Sequence, residues 1–379
     1  MSSGIPTPLP IDAQLRALHA SLRGDLPGIA RIALVAYDAK ADSLETYAHS
    51  TSGPDPLAHY EARLSEVPSL AELARTGRDR VIDDLAELAD SNAPHSRAIA
   101  RRFRSSYTRP LYEVGRLRGF VFFDADEAGY FTQGVLHRLV VYGDFVALLL
   151  ASHLFPARLL ESAVEVAARV SHSRDPETGA HLDRMARFSR AIATELADER
   201  ALADAWIEHL FLFAPLHDLG KVAIPDAVLR KPDRLTADEL LVMRSHVTRG
   251  RELVDRVLRD TQMDGLPYVD ILRNLVLHHH ECWDGSGYPS GLAGEAIPLE
   301  ARIVKVADVF DALTSERVYK AAWDTDSAIR YLRAGAGRSL DPGCVAAFER
   351  CLGEIEAIRR AFRDVPEQAG LREGYDADL

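Results

Sequence analysis

The chain has little cysteine and no excess of positive charge. Among 379 residues there are three cysteines, Cys282, Cys344 and Cys351. The count is odd, and the spacing fits neither a disulfide framework nor a thiolate metal site. Reduced thiols are the simple reading. None precedes Cys282, so the first half has no cysteine to carry a linked chromophore. The formal net charge is -12, which argues against a general DNA binder or a membrane-surface binder. The opening Met1-Ser2-Ser3-Gly4-Ile5-Pro6 lacks the basic start and apolar core of a secretory signal. The longest apolar run, Phe145 to Leu150 with its neighbours, is far short of a membrane span. The expectation is a cytoplasmic chain with no DNA and no membrane partner. An acidic chain can still take an anionic substrate where metals and a few Lys or Arg make the site cationic.

What is present concentrates between Leu277 and Gly291. An apolar run, Ile271 to Leu277, ends in His278, His279, His280 and Glu281. Gly285, Gly287, Pro289 and Gly291 follow and enforce a shaped loop. Neighbouring residues on a helix diverge by roughly 100°, so three adjacent imidazoles cannot all face one ion. A His run alone is often chance, and ligand-type residues elsewhere decide the matter.

In chain order, residues 11–23 read as a helix, 29–37 and 44–49 as a hairpin, 69–76 as a helix and 80–83 as a short strand. Residues 93–104 read as a helix, 106–114 and 117–124 as two strong strands, and 131–154 as a long apolar helix. The stretch 134–173 reads as one or two linking helices kinked at Pro156, a type of segment that often carries a dimer seam. Plain packing against the second half is the competing reading. Beyond residue 173 the expected helices are 179–198, 201–217, 236–259, 267–281, 299–315, 325–335 and 342–362.

Candidate ligands recur through this helical half. Glu177 and His181 stand four apart, on one face of a helix start; alone, such a pair is usually solvated. His217-Asp218 follows an apolar helix, and Lys221 stands three residues on. His246 lies on a helix, four residues before Gly250. Asp308 sits in an apolar helix, where a carboxylate is costly unless paired or ligating. Asp311, three residues on, is a candidate cap or orienting group. Imidazole nitrogens and carboxylate oxygens without thiolate suit iron or manganese, or a borderline metal such as Zn, Ni or Co. Seven or eight ligands exceed what one ion needs, so two or three divalent ions are implied. Paired ions are apt for phosphoryl chemistry.

From Arg174 to Phe348 the sequence resembles the HD-GYP subgroup of HD-domain metal-dependent phosphohydrolases. The resemblance rests on Glu177-Thr178-Gly179-Ala180-His181, His217-Asp218-Leu219-Gly220-Lys221, Ile224-Pro225-Asp226, His246 and His279-His280-Glu281. It continues through Trp283-Asp284-Gly285-Ser286-Gly287-Tyr288-Pro289, Asp308, Asp311-Ala312-Leu313-Thr314-Ser315, Arg317 and Tyr319-Lys320. It implies hydrolysis of cyclic di-GMP, to linear pGpG or GMP, through a metal-bridged hydroxide. Residue by residue, His217, Asp218, His246, His279, His280 and Asp308 match the core metal ligands, and Glu177 and His181 match residues that complete a third site in members that hold three metals. Asp218 matches the bridging ligand, and Lys221, with Asp218, the catalytic centre. Lys221, Arg317, Lys320 and Tyr288 match substrate contacts. The Gly287-Tyr288-Pro289 loop implies a contact with diguanylate cyclases, beside the plainer reading of a structural turn. Val318 and Cys282 depart from the usual proline and basic residue.

Residues 10–150 more loosely resemble a GAF domain, through Arg109-Pro110-Leu111, Gly119-Phe120-Val121 and the following helix. The expected architecture is an α+β GAF-like regulatory domain over 1–150 and an all-α HD-type domain over 151–379, joined by a long helical linker. The partners implied are cyclic di-GMP, an unknown GAF ligand and a second copy in a homodimer. Two alternatives are a catalytically weak cyclic-dinucleotide sensor or partner-binding module, and the same chemistry on cyclic GMP-AMP.

Overall fold

The structure, a computed structural model, describes residues 9–53, 61–88, 94–171, 179–315 and 322–363. The first half opens with α1 (Ile11–Asp25) and a hairpin of β1 (Ile29–Asp38) and β2 (Ser43–Thr51). An irregular middle holds β3 (Glu61–Arg63), α2 (Pro68–Thr76), β4 (Arg80–Ile82) and α3 (Pro94–Arg102). A second hairpin, β5 (Ser105–Glu113) and β6 (Arg116–Ala125), leads into α4 (Gln133–Ser171). The six strands form one antiparallel sheet in the order β3-β2-β1-β6-β5-β4. This is the α+β arrangement expected; the short strand β3 was not foreseen.

The sheet is covered on both faces, so β1 is apolar on both sides apart from the buried Arg31, which pairs with Asp124 at 2.9 Å. Successive strand residues point to opposite sides. Ile32, Leu34, Val121 and Phe123 therefore join the core with α1 and α4, while Val35 and Phe120 pack with Leu70 and Leu73 of α2.

The second half is helical, with α5 (Gly179–Arg200), α6 (Asp204–Phe213), α7 (Asp226–Leu229), α8 (Ala237–Arg244) and α9 (His246–Asp260). Then follow α10 (Val269–His278), α11 (Leu299–Thr314), α12 (Thr325–Gly335), α13 (Pro342–Arg350) and α14 (Leu352–Ala361). The helix α5 is central and buried from Arg184 to Ala193. Phe188 on α5, Phe310 on α11 and Phe348 on α13 meet at ring distances of 5.9 and 4.6 Å. Two arginines of α5 reach the sheet: Arg187 pairs with Asp38 at 2.6 Å and Arg190 with Glu45 at 2.5 Å.

Three expectations need correction. The helix expected over 236–259 is two helices that meet at Ser245. The Ser245 hydroxyl donates to Val242 O at 2.6 Å, and His246 Nδ1 to Met243 O at 2.8 Å. These side chains satisfy carbonyls at the end of α8, and the chain turns there. The helix expected over 342–362 likewise divides at Cys351. Finally, the apolar stretch is longer than its uninterrupted run. Gln133–Leu154, 22 residues, is long and apolar enough by length and composition alone to cross a membrane. Arg138 and Asp144 interrupt it and hide its length. Its buried side carries Leu139, Val146, Leu150 and Leu154, and its exposed side Val141, Phe145 and Leu148.

Candidate metal centre

Five separate elements deliver the candidate ligands to one place. His181 lies in the first turn of α5, and His217-Asp218 sit between two short helical turns after α6. His246 opens α9, His279 and His280 directly follow α10, and Asp308 lies within α11. Close backbone contact sets the spacing between the second and third of these. A Cβ on Gly220 would stand 1.8 Å from His246 O, and Gly250 lies against Gly220. Only glycine at both positions lets the Asp218 turn rest directly on α9.

Local hydrogen bonds fix how the imidazoles point. His217 Nδ1 meets Ala214 O at 2.9 Å, His246 Nδ1 meets Met243 O at 2.8 Å, and His279 Nδ1 meets Leu275 O at 2.8 Å. A carbonyl only accepts, so each Nδ1 carries the proton and each Nε2 is left as a lone pair. Those Nε2 atoms converge on Asp218. Oδ1 lies 3.1 Å from His246 and 3.5 Å from His279, and Oδ2 lies 3.4 Å from His217.

Two groups result. Asp218, His246, His279 and His280 form one, and His181, His217 and Asp308 the other; within each, the ligand atoms lie within 4.8 Å of one another. Asp218 spans the boundary, with one oxygen toward each group. Seven of the eight candidate ligands are thus brought together. Glu177 lies outside the described residues, as do Arg317 and Lys320.

The electrostatics fit a cation. Burial, and then neighbouring His279, push His280 down to about 2. Burial also lowers His279, against the pull of Asp218. Lowered in this way the rings keep lone pairs, and His279 Nε2 lies 3.5 Å from Asp218 Oδ1, an arrangement suited to shared metal ions. Burial pushes the Asp218 carboxyl up, but Lys221 and His217 outweigh it and hold the group well below the usual range. Lys221 Nζ sits 2.8 Å from Asp218 Oδ2. The Tyr288 ring stacks on His280 at 4.8 Å, with the Arg244 guanidinium 5.0 Å from its centre.

The fold shows what several supporting residues hold. Glu281, 1% exposed, accepts from Ser290 N at 2.7 Å and Leu292 N at 3.1 Å, closing the loop after the histidines. Lys305 donates to His280 O at 3.2 Å and also bonds Glu281 O, holding that turn from α11. Gly287 is structural, as one reading had it: a Cβ there would meet Cys282 N at 2.3 Å. Asp311 takes up His181 and Arg184 together. Burial raises its carboxyl, yet these two partners bring it down to about 2. The motif flagged Glu281 and Asp311, but only the fold reveals what they hold.

Comparison with known proteins follows this geometry. Residues 175–344 match the model of the HD domain. The chain is 46% identical over 204 residues to the cyclic di-GMP phosphodiesterase response regulator RpfG of Xanthomonas campestris, covering 54% of this chain and 51% of that protein. It is 38% identical over 197 residues to the 3'3'-cGAMP-specific phosphodiesterase 2 of Vibrio cholerae, covering 52% of this chain and 36% of that protein. A GAF domain/HD domain protein from Geobacter sulfurreducens aligns with 37% of this chain and 92% of its own at 16% identity and a TM-score of 0.31. The chain therefore spans about half the length, or less, of the curated relatives it matches. The converging histidines and aspartates all lie within the segment, residues 175–344, that matches the HD domain.

Proposed function

We propose that the chain hydrolyses cyclic di-GMP in a metal-dependent reaction, giving linear pGpG, GMP or both. The observation that carries this reading is the convergence of seven candidate ligands into two groups that meet at Asp218. Two or three divalent ions held there, iron or manganese by preference, would supply Lewis acidity and activate water at neutral pH. His246, His279 and His280 would hold one side of the cluster, and His181, His217 and Asp308 the other. Asp218 serves both. Glu177 would add to the second group.

The remaining residues bind and orient. The ammonium of Lys221 offsets the Asp218 charge and stands where a phosphate oxygen would enter. Tyr288 walls the His280 side. Arg317 and Lys320, by the resemblance, would contact phosphate and base. The α+β half would regulate the helical one in response to an unknown ligand. The exposed Val141, Phe145 and Leu148 of α4 would join two copies, and the Gly287-Tyr288-Pro289 loop would meet a diguanylate cyclase. The compartment proposed is the cytoplasm.

A second substrate, cyclic GMP-AMP, is favoured by one observation: the Vibrio cholerae relative is named for that specificity. The test purifies the chain without air, counts its metals, and follows both dinucleotides by chromatography. Turnover of cyclic di-GMP that exceeds turnover of cyclic GMP-AMP supports the reading. A metal-loaded protein that binds but never cleaves would replace it with a sensor.

A further inference from the structure

The histidines of the cluster are not all oriented in the same way. His217, His246 and His279 each lean on a backbone carbonyl of their own chain segment. His181 leans on a side chain instead. Its Nδ1 lies 2.7 Å from Asp311 Oδ2, on α11, a helix distant in sequence. Arg184, one turn along α5 from His181, takes the same carboxylate with a two-pronged grip: Nε to Oδ1 at 2.5 Å and Nη2 to Oδ2 at 2.9 Å. The Ser315 hydroxyl adds a contact to Oδ2 at 3.2 Å. His181, Arg184 and Asp311 are 6, 4 and 1% exposed.

The chemistry of that difference is specific. A backbone carbonyl is neutral, whereas a carboxylate carries full charge and accepts a stronger hydrogen bond. It also fixes the tautomer, holding the proton on Nδ1 and presenting Nε2 to the cluster. An imidazole backed by a carboxylate is a better metal donor than one backed by a carbonyl. The planar fork of Arg184 keeps the carboxylate from rotating away.

We infer that Asp311, locked by Arg184, is a positioning residue for His181 and selectively sets the metal affinity of the His181, His217 and Asp308 group. The inference rests on reading the two groups as metal sites. It does not depend on which nucleotide is cleaved, or on whether one is.

The experiment titrates the metal-free full-length chain with Mn2+ under anaerobic conditions. Free ion is read by electron paramagnetic resonance and bound ion by elemental analysis. The wild type should show more than one class of site. Asp311→Asn keeps the shape but removes the charge, and should weaken one class about 10- to 100-fold while leaving the other unchanged. His181→Ala should lose that same class, and Arg184→Lys should weaken it several-fold. The class that is kept reports that the variants are folded. Equal weakening of both classes, wild-type binding by Asp311→Asn, or a single class in the wild type would each overturn the inference. Because the readout is binding, a wild type that never cleaves cyclic di-GMP would defeat the proposed function and leave this result standing.

Discussion

His246 directs its Nε2 at Asp218 Oδ1 from 3.1 Å, across a contact in which the turn after Asp218 lies against the first turn of α9. Gly220 and Gly250 make that approach sterically open. The ligand distance thus depends on two residues that carry no ligand atom.

A methyl group at Gly220 should separate those elements. Gly220→Ala is expected to destabilise the fold by about 1–3 kcal/mol through overpacking, and to weaken metal binding as His246 moves from Asp218. Urea unfolding of the metal-free protein together with a metal titration checks both parts. Wild-type values in each would mean that the backbone contact is slack.

The loop after the histidines should depend on Glu281. Glu281→Ala leaves Ser290 N and Leu292 N without their acceptor, at a cost of about 1–3 kcal/mol. Limited proteolysis should cut the loop at 282–291 faster than in the wild type. Metal content should hold, because Glu281 is absent from both ligand groups. Loss of metal with an uncut loop would contradict this role.

The contact between the halves should soften with rising pH. Burial pushes Glu45 up to about 8; Arg190 opposes the shift, while Glu61 and Glu208 add to it. An acid whose folded pKa is raised contributes stability that is complete below its ordinary 4.5 and is lost as pH rises through about 8. The melting temperature of the metal-free chain should therefore fall between about pH 4.5 and pH 8 and level off above that, and Glu45→Gln should flatten that fall. A variant with the wild-type slope would place the titration elsewhere.

The proposed pairing of two copies predicts a change at Phe145, which is 54% exposed on α4 beside Val141 and Leu148. Phe145→Arg should halve the mass seen by light scattering without lowering thermal stability. A wild-type monomer at high concentration would remove the pairing.

Much of this molecule is legible in its sequence because the informative signals are local. The strand run Gly119-Phe120-Val121-Phe122-Phe123 announces β6, and His217-Asp218 and His279-His280 stand out by residue type alone. What stays hidden is non-local. Arg184, Arg187 and Arg190 look like an ordinary solvated helix face, and only the fold brings Asp311, Asp38 and Glu45 to them. The break at Ser245 was missed for a related reason: apolar periodicity continues through it, and the interruption comes from side chains bonding back to α8. The apolar helix over 131–154 was legible, but its uninterrupted apolar run looks short because Arg138 and Asp144 divide it.

The most direct measurement pairs metal content with turnover in the wild type and in Asp218→Ala, the substitution that removes the residue shared by both ligand groups. The proposed function predicts two or three ions per wild-type chain and hydrolysis of cyclic di-GMP, with turnover abolished and metal depleted in the variant. Hydrolysis that survives Asp218→Ala, or a wild type that carries its metals and leaves the dinucleotide intact, would contradict it.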